Sequence, residues 1–385
     1  MLSERWRSWG TDGTWYGWLL VIGVSAVVLW AAIGVLRPEA DDDWESRGSP
    51  ALAWTGERLF VYGGNPVPAE GESVRTLQPL NDAALIDPTE GNVRVLPEPP
   101  FDRPMRVQPA AVAVGEDVLV VGQLCREIDA EDRACGGGAY KAAVWDETDD
   151  RWREVELPAR LQQISNGQSE PVGATSDGRA VVVLGARDGF GALANREIWT
   201  YDLDEDLWEA LPSPGSFIEA VCLARDAVVV GSGLLAEAAA TEGGTLTEGP
   251  TLRVLALDGE ARVWFPTEPA AFTPVGDTVS MTCGDDLVMV DDTSPVKHVF
   301  DLGIDGGWRE SAPQPGDDVH LARLWTGREF LFLDPNSPNL AYDPVEDAWR
   351  GLEDSAATGI RSVWTGESVV GWPGRTDLPV EFPVD

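Results

Sequence analysis

Beyond residue 50 the chain is a succession of short apolar runs separated by compact polar turns. The runs cover residues 59–62, 118–121, 180–184, 227–230, 287–290, 330–333 and 368–370. Each is entered through a tight turn. Three of these turns share a Trp-Thr-Gly signature, at Trp54-Thr55-Gly56, Trp325-Thr326-Gly327 and Trp364-Thr365-Gly366. Gly and Asp supply the positive φ that such turns require, and β-branched residues fill the runs, so each unit predicts a β-hairpin. No long stretch beyond residue 40 carries a helical period.

A second pattern follows each hairpin. Tyr201-Asp-Leu-Asp-Glu-Asp-Leu-Trp208 and Tyr342-Asp-Pro-Val-Glu-Asp-Ala-Trp349 are its clearest copies. The same seven-residue step joins Trp145 to Trp152, Leu257 to Trp264 and, with aliphatics, Ile86 to Val93, while Phe300 to Trp308 is one residue longer. The anchors Trp44, Val93, Trp152, Trp208, Trp264, Trp308 and Trp349 recur every 51 residues or so. That period lies in the range of propeller arrays. One unit reads strand a, tight turn, strand b, loop, strand c, acidic turn, strand d, which is a four-stranded antiparallel blade.

On Gly63-Gly64, the Tyr/Trp pairs and the Leu211-Pro212 that follows strand d, residues 41–385 resemble the kelch family. Later repeats depart from it, with Gly122-Gln123, Gly185-Ala186 and Gly231-Ser232 where a Gly-Gly pair would stand. The resemblance implies an all-β, seven-bladed kelch-like propeller and is silent on ligand. The last repeat offers strands a–c over 361–382 and no strand d. Residues 44–48, containing Trp44, are therefore expected to complete the seventh blade, making 44–385 one closed ring. Six blades with a trailing hairpin is the competing arithmetic.

Residues 15–36 form an uncharged apolar stretch of bilayer-spanning length, with Trp15, Tyr16, Trp18 and Trp30 placed as interfacial aromatics. Arg5 and Arg7 precede it, so 1–14 reads as a short cytoplasmic segment, 15–36 as a transmembrane signal anchor and 37–43 as a linker to an extracytoplasmic propeller at the cell membrane. A cleaved signal peptide is the alternative. If 44–48 is strand d, the acidic c–d turns face the bilayer and the long loops point away.

The net charge of −37, from 65 acids against 28 bases, repels phosphate backbones and argues against nucleic-acid binding. Arg-rich, Lys-poor composition with abundant Ala, Gly and Val suggests a GC-rich bacterial genome. Cys125 and Cys135 flank an insertion and suit a loop-closing disulfide outside the cell. Cys222 and Cys283 fall on inner strands with a parity that permits an interblade bridge; ordinary buried thiols are the other reading.

Long b–c loops and d–a links share one face of the ring, which makes that face the candidate binding surface for a protein or envelope glycan. Phe101, Arg103, Arg106, Arg187 and Phe190 are its candidate contacts, against the alternative that each packs on its neighbours. The acidic turns lack an EF-hand pattern and read as solvated turn acids rather than metal ligands. No catalytic motif, cofactor fingerprint or metal cluster is legible, so a binding or scaffolding role is expected without a cofactor. A carboxylate-based enzyme at the central channel and a structural subunit of a membrane assembly are the other expectations.

Overall fold

The computed structural model describes residues 44, 47–67, 79–105, 109–125, 137–162, 167–187, 193–214, 218–232, 250–257, 262–272, 279–303, 306–316, 322–334, 337–352, 361–372 and 379–384. The expected segments 1–14, 15–36 and 37–43 lie outside them. Among the described residues no helix is long and apolar enough to cross a membrane.

Seven antiparallel sheets form a closed ring. Blade 1 comprises Ala51–Trp54, Leu59–Tyr62, Ala83–Ile86 and Val93–Val95 as strands a to d. Blade 2 comprises Ala110–Val114, Asp117–Cys125, Gly137–Asp146 and Arg151–Val155, and blade 3 Gly167–Ala174, Arg179–Arg187, Leu193–Asp202 and Leu207–Ala210. Blade 4 comprises Ala220–Ala224, Ala227–Ser232, Thr251–Ala256 and Phe265–Pro266, and blade 5 Ser280–Cys283, Leu287–Asp291, His298–Asp301 and Trp308–Glu310. Blade 6 comprises Ala322–Trp325, Phe330–Leu333, Leu340–Asp343 and Ala348–Gly351. Blade 7 has Arg361–Trp364, Ser368–Trp372 and Val380–Pro383. Strand a of blade 7 neighbours strand a of both blade 6 and blade 1, so seven blades, not six, close the ring.

The apolar runs are strands b because a middle strand is covered by adjacent blades on both faces. Leu59–Tyr62 and Phe330–Leu333 are buried at every position. The Trp-Thr-Gly turns have a shared construction. The Thr55 and Thr326 hydroxyls donate to the carbonyls of Arg58 and Glu329 and accept the same residues' amides, while Gly56 and Gly327 take φ of 96° and 92°.

The core is divided among the seams between blades. Strand-d indoles fasten them. Trp152 donates to the Pro97 carbonyl at 2.8 Å, Trp264 to Pro212 at 2.7 Å, Trp308 to Glu268 at 3.1 Å and Trp349 to Ala312 at 2.7 Å. Each acceptor lies just beyond strand d of the preceding blade. Trp208 packs at its seam with its indole nitrogen buried and unpaired. The anchor pairs are in register as expected for Trp145–Trp152, Tyr201–Trp208, Phe300–Trp308, Tyr342–Trp349 and Ile86–Val93. In blade 4 the Val254–Phe265 pairing sets Trp264 opposite Leu255, not Leu257.

The ring closure differs from the expectation. Arg47–Gly48 pairs with Asn65–Pro66 of blade 1 and not with strand c of blade 7. Trp44, 5% exposed, packs at the seam of blades 7 and 1 with Trp372, whereas a blade 7 strand d would face blade 6. The physical reason is spacing. Strand-d anchors precede the next strand a by twelve to seventeen residues in the complete blades, and Trp44 precedes Ala51 by seven. Residues 44 and 47–50 thus belong to a d–a link. They run along the long-loop face, where the Trp372 indole donates to the Arg47 carbonyl at 2.8 Å. With these residues in the link, the expected orientation of the acidic turns toward the bilayer no longer follows from 44–48 as strand d.

Arg47 pins this link. It is fully buried, stacks 3.4 Å from the Trp44 ring centroid, and donates to both Asp82 oxygens at 2.6 and 2.8 Å and to the Gly63 carbonyl. Gly64 explains the retained Gly-Gly pair: a Cβ there would lie 3.0 Å from the Gly48 carbonyl oxygen.

Candidate functional site

The innermost strands of all seven blades wall a central cavity of about 680 Å³. Half of its lining residues are Ala, Val or Leu. Volumes of this order suit small ligands or the end of a chain. No Asp or Glu lies among the lining residues, so the carboxylate pair that a hydrolytic site at the channel would need is missing from the described wall.

Two cations line the cavity, from adjacent blades. Arg323 is neutralised: its guanidinium bonds Asp291, the last residue of blade 5 strand b, and Lys297 holds the other carboxylate oxygen at 2.6 Å. Arg361 is different. It opens strand a of blade 7, pairs across the strand with Trp372 at the long-loop end, and makes no hydrogen bond or ion pair among the described residues. Burial alone pulls its pKa below the usual guanidinium value, with no acid beside it to offset the loss of water. A partly desolvated cation without a counter-ion is a standing demand for an anion. No sequence motif marked it, because a lone Arg is legible only once its neighbours are known.

The sequence-derived contacts do not gather into one site. Phe101 is 4% exposed and packs edge-on against Tyr62 at the seam of blades 1 and 2, so the packing alternative holds for it. Arg103 lies in the same link, half-exposed, 3.7 Å from Asp102. Arg187 ends strand b of blade 3, and its side chain is not among those described. Arg106 and Phe190 lie outside the described residues. His298 is buried against Phe272, ring centroids 3.4 Å apart, and burial lowers its pKa.

Cys222 and Cys283, for which ordinary thiols were the other reading, are bonded across the seam of blades 4 and 5 with Cα atoms 5.6 Å apart. Both sulfurs lie in the cavity wall. Cys125 is also disulfide-bonded, and Cys135 lies outside the described residues.

The acidic turns have structural duties. Asp146, Asp202 and Asp343 accept backbone amides two or three residues on, closing each turn. Asp206 and Asp347 adopt positive φ, and each accepts a hydrogen bond from its repeat's tyrosine, Tyr201 or Tyr342. An Arg from the preceding blade joins them: Arg153 reaches Tyr201 and Asp206, and Arg309 reaches Tyr342. No group of three or more His, Cys, Asp or Glu residues among those described is arranged to hold a metal ion.

These contacts give a pH prediction. The Tyr201 and Tyr342 hydroxyls are the main cause holding Asp206 and Asp347 below the usual carboxylate range, while burial pushes Tyr342 up to about 12. A depressed acid stabilises the fold fully above its unfolded value, about 3.9, and the gain is lost as pH falls through the lower folded value. Tyr342→Phe should therefore flatten the fall in Tm below about pH 4 while leaving its pH dependence near 7 unchanged. Calorimetry across that range checks it. The effect is small, because both carboxylates are exposed and screened.

The fold and cavity define the class: a seven-bladed β-propeller of four-stranded antiparallel blades. Among solved structures the chain is similar to one described as YCF48 bound to D1 peptide, with TM-score 0.53 and 12% identity, covering 90% of this chain and 97% of that one. At that identity the likeness shows the fold alone. No family model and no curated protein matches the chain.

Proposed function

We propose that the protein is a membrane-tethered, extracytoplasmic propeller that binds a protein partner at the long-loop mouth of its central channel, with Arg361 receiving a carboxylate of that partner. The unpaired Arg361 in the channel wall carries this reading. Supporting it are the uncharged stretch 15–36, two arginines ahead of it, and a buried disulfide of the kind stable in oxidising compartments. The ring gives a rigid frame, and its d–a and b–c connections surround the mouth. The YCF48 structure carries a peptide, which makes a peptide the first partner class to try. The net charge of −37 selects against polyanions in bulk, so recognition must be local, a single anionic group entering the cavity beside Arg361.

The test is a screen of random-sequence peptides with a free C-terminal carboxylate, followed by titration of selected sequences. The amidated form of each should bind at least ~10-fold more weakly, as expected for losing a charge-assisted hydrogen bond. Arg361→Gln should abolish the difference between the two forms. Inorganic phosphate serves as the competing anion; binding of phosphate but of no peptide would move the site to a small-molecule ligand. Equal binding of both peptide forms, unchanged in Arg361→Gln, would refute the reading.

A further inference from the structure

The Cys222–Cys283 bond joins strand a of blade 4 to strand a of blade 5, and both residues wall the central cavity. The bond therefore crosses its seam where that seam meets the channel. Its two ends are unequally covered: Cys283 is 9% exposed, and Cys222 is half-buried. Leu223, Met281 and Thr282 flank them in the wall, and none carries a charge. A disulfide resists exchange when no thiol can reach it. One that faces a cavity of about 680 Å³ is within reach of a small solute.

The same cavity holds Arg361, on blade 7 across the channel. Exchange proceeds through the thiolate, which is an anion. Outside the ring the net charge of −37 repels that anion. Inside it, no Asp or Glu lies among the lining residues, and Asp291 neutralises Arg323. Arg361 is then the cation left without a counter-ion among the described residues. A thiol that also bears a carboxylate has one group for the guanidinium and another for the disulfide.

We propose that the Cys222–Cys283 bond is a thiol–disulfide exchange site for a small thiol that carries a carboxylate, such as a short peptide ending in cysteine. The incoming thiolate attacks the less covered Cys222 sulfur. A new sulfur–sulfur bond forms there, the Cys222–Cys283 bond breaks, and its electron pair leaves on the Cys283 sulfur, which takes up a proton. A second thiolate attacks the sulfur of the first thiol in the mixed disulfide, and Cys222 departs as a thiolate and is protonated. The protein gains two electrons and two protons, and two thiol molecules become one disulfide. The covalent tie at the seam of blades 4 and 5 is thereby released. The preference for a carboxylate rests on the reading of Arg361 given above; the reach of a thiol to the bond does not.

The test exposes the folded full chain to mercaptoacetate or to the neutral 2-mercaptoethanol at low salt. Acid quenching, alkylation and mass spectrometry follow Cys222 and Cys283 separately from Cys125. Each rate is divided by that of the same thiol with the chain unfolded in urea, which removes differences in intrinsic reactivity. The normalised rate should be at least ~5-fold higher for mercaptoacetate, as expected for attraction to one partly desolvated cation. That excess should vanish in Arg361→Gln and persist in Arg361→Lys. The urea midpoint of each variant reports whether it folds, and Arg361→Met replaces Arg361→Gln if that variant does not. The first adduct should map to Cys222; an adduct on Cys283 alone would overturn the assignment of the attacked sulfur. Resistance of the folded chain to both thiols would overturn the proposal while leaving the role of Arg361 standing. Equal normalised rates for the two thiols would overturn the carboxylate preference, and with it the reading of Arg361 as an anion receptor.

Discussion

Asp291→Ala should destabilise the propeller by about 3–5 kcal/mol, the range for removing one member of a buried charge cluster. Asp291 is 3% exposed and sits between the Lys297 ammonium, itself 3% exposed, and the Arg323 guanidinium of the next blade. Lys297 also donates to the carbonyls of Asp292 and Ser294 at 2.9 and 2.6 Å. Those carbonyls solvate the ammonium but do not neutralise it. Without the carboxylate, two cations face each other across the seam of blades 5 and 6. Asp291→Asn should recover little, because shape is kept and charge is not. Replacing all three residues by Leu and Met should cost less than Asp291→Ala alone, since no uncompensated charge remains. Urea unfolding measures each; a shift below about 1 kcal/mol for Asp291→Ala would show that water reaches the cluster.

Removing the Cys222–Cys283 bond should cost about 4 kcal/mol by chain entropy, because the bond closes a loop of sequence separation 61. The double Cys→Ser variant and either single variant should lose nearly the same amount, as each lacks the one bond. Mild reductant should lower the thermal midpoint of the native chain more than that of the double variant, the remaining shift in the variant coming from the bond at Cys125. A double variant as stable as the native chain would mean that seam packing around Val229, Leu252 and Val288 suffices.

Several features were legible because they are local. The Trp-Thr-Gly hairpins, the continuous apolar strands b and the Tyr-to-Trp step each repeat within a dozen residues, and a blade is built from nearest neighbours in sequence. Blade number and strand order followed from counting them. The apolar runs 59–62 and 330–333 coincide with strands b to the residue. The step from Leu257 to Trp264 misled because in blade 4 the residue opposite Trp264 is Leu255, two positions earlier, so the c–d step there is two residues longer than the seven-residue step.

What the sequence determined by itself is therefore the repeat: alternation, turn chemistry and anchors, which are set by backbone sterics and by burial on both faces of a middle strand. The tertiary structure decided what depends on which blade lies beside which. It turned Phe101 inward onto Tyr62, joined Cys222 to Cys283, and set Asp291 between cations from two blades. It also laid Trp44 across the seam of blades 7 and 1, where the count of repeats had suggested an outer strand. Among the described residues Arg361 stands without a counter-ion for the same reason: the field at a side chain is the sum over its neighbours in space, and the ring brings those neighbours from positions hundreds of residues apart.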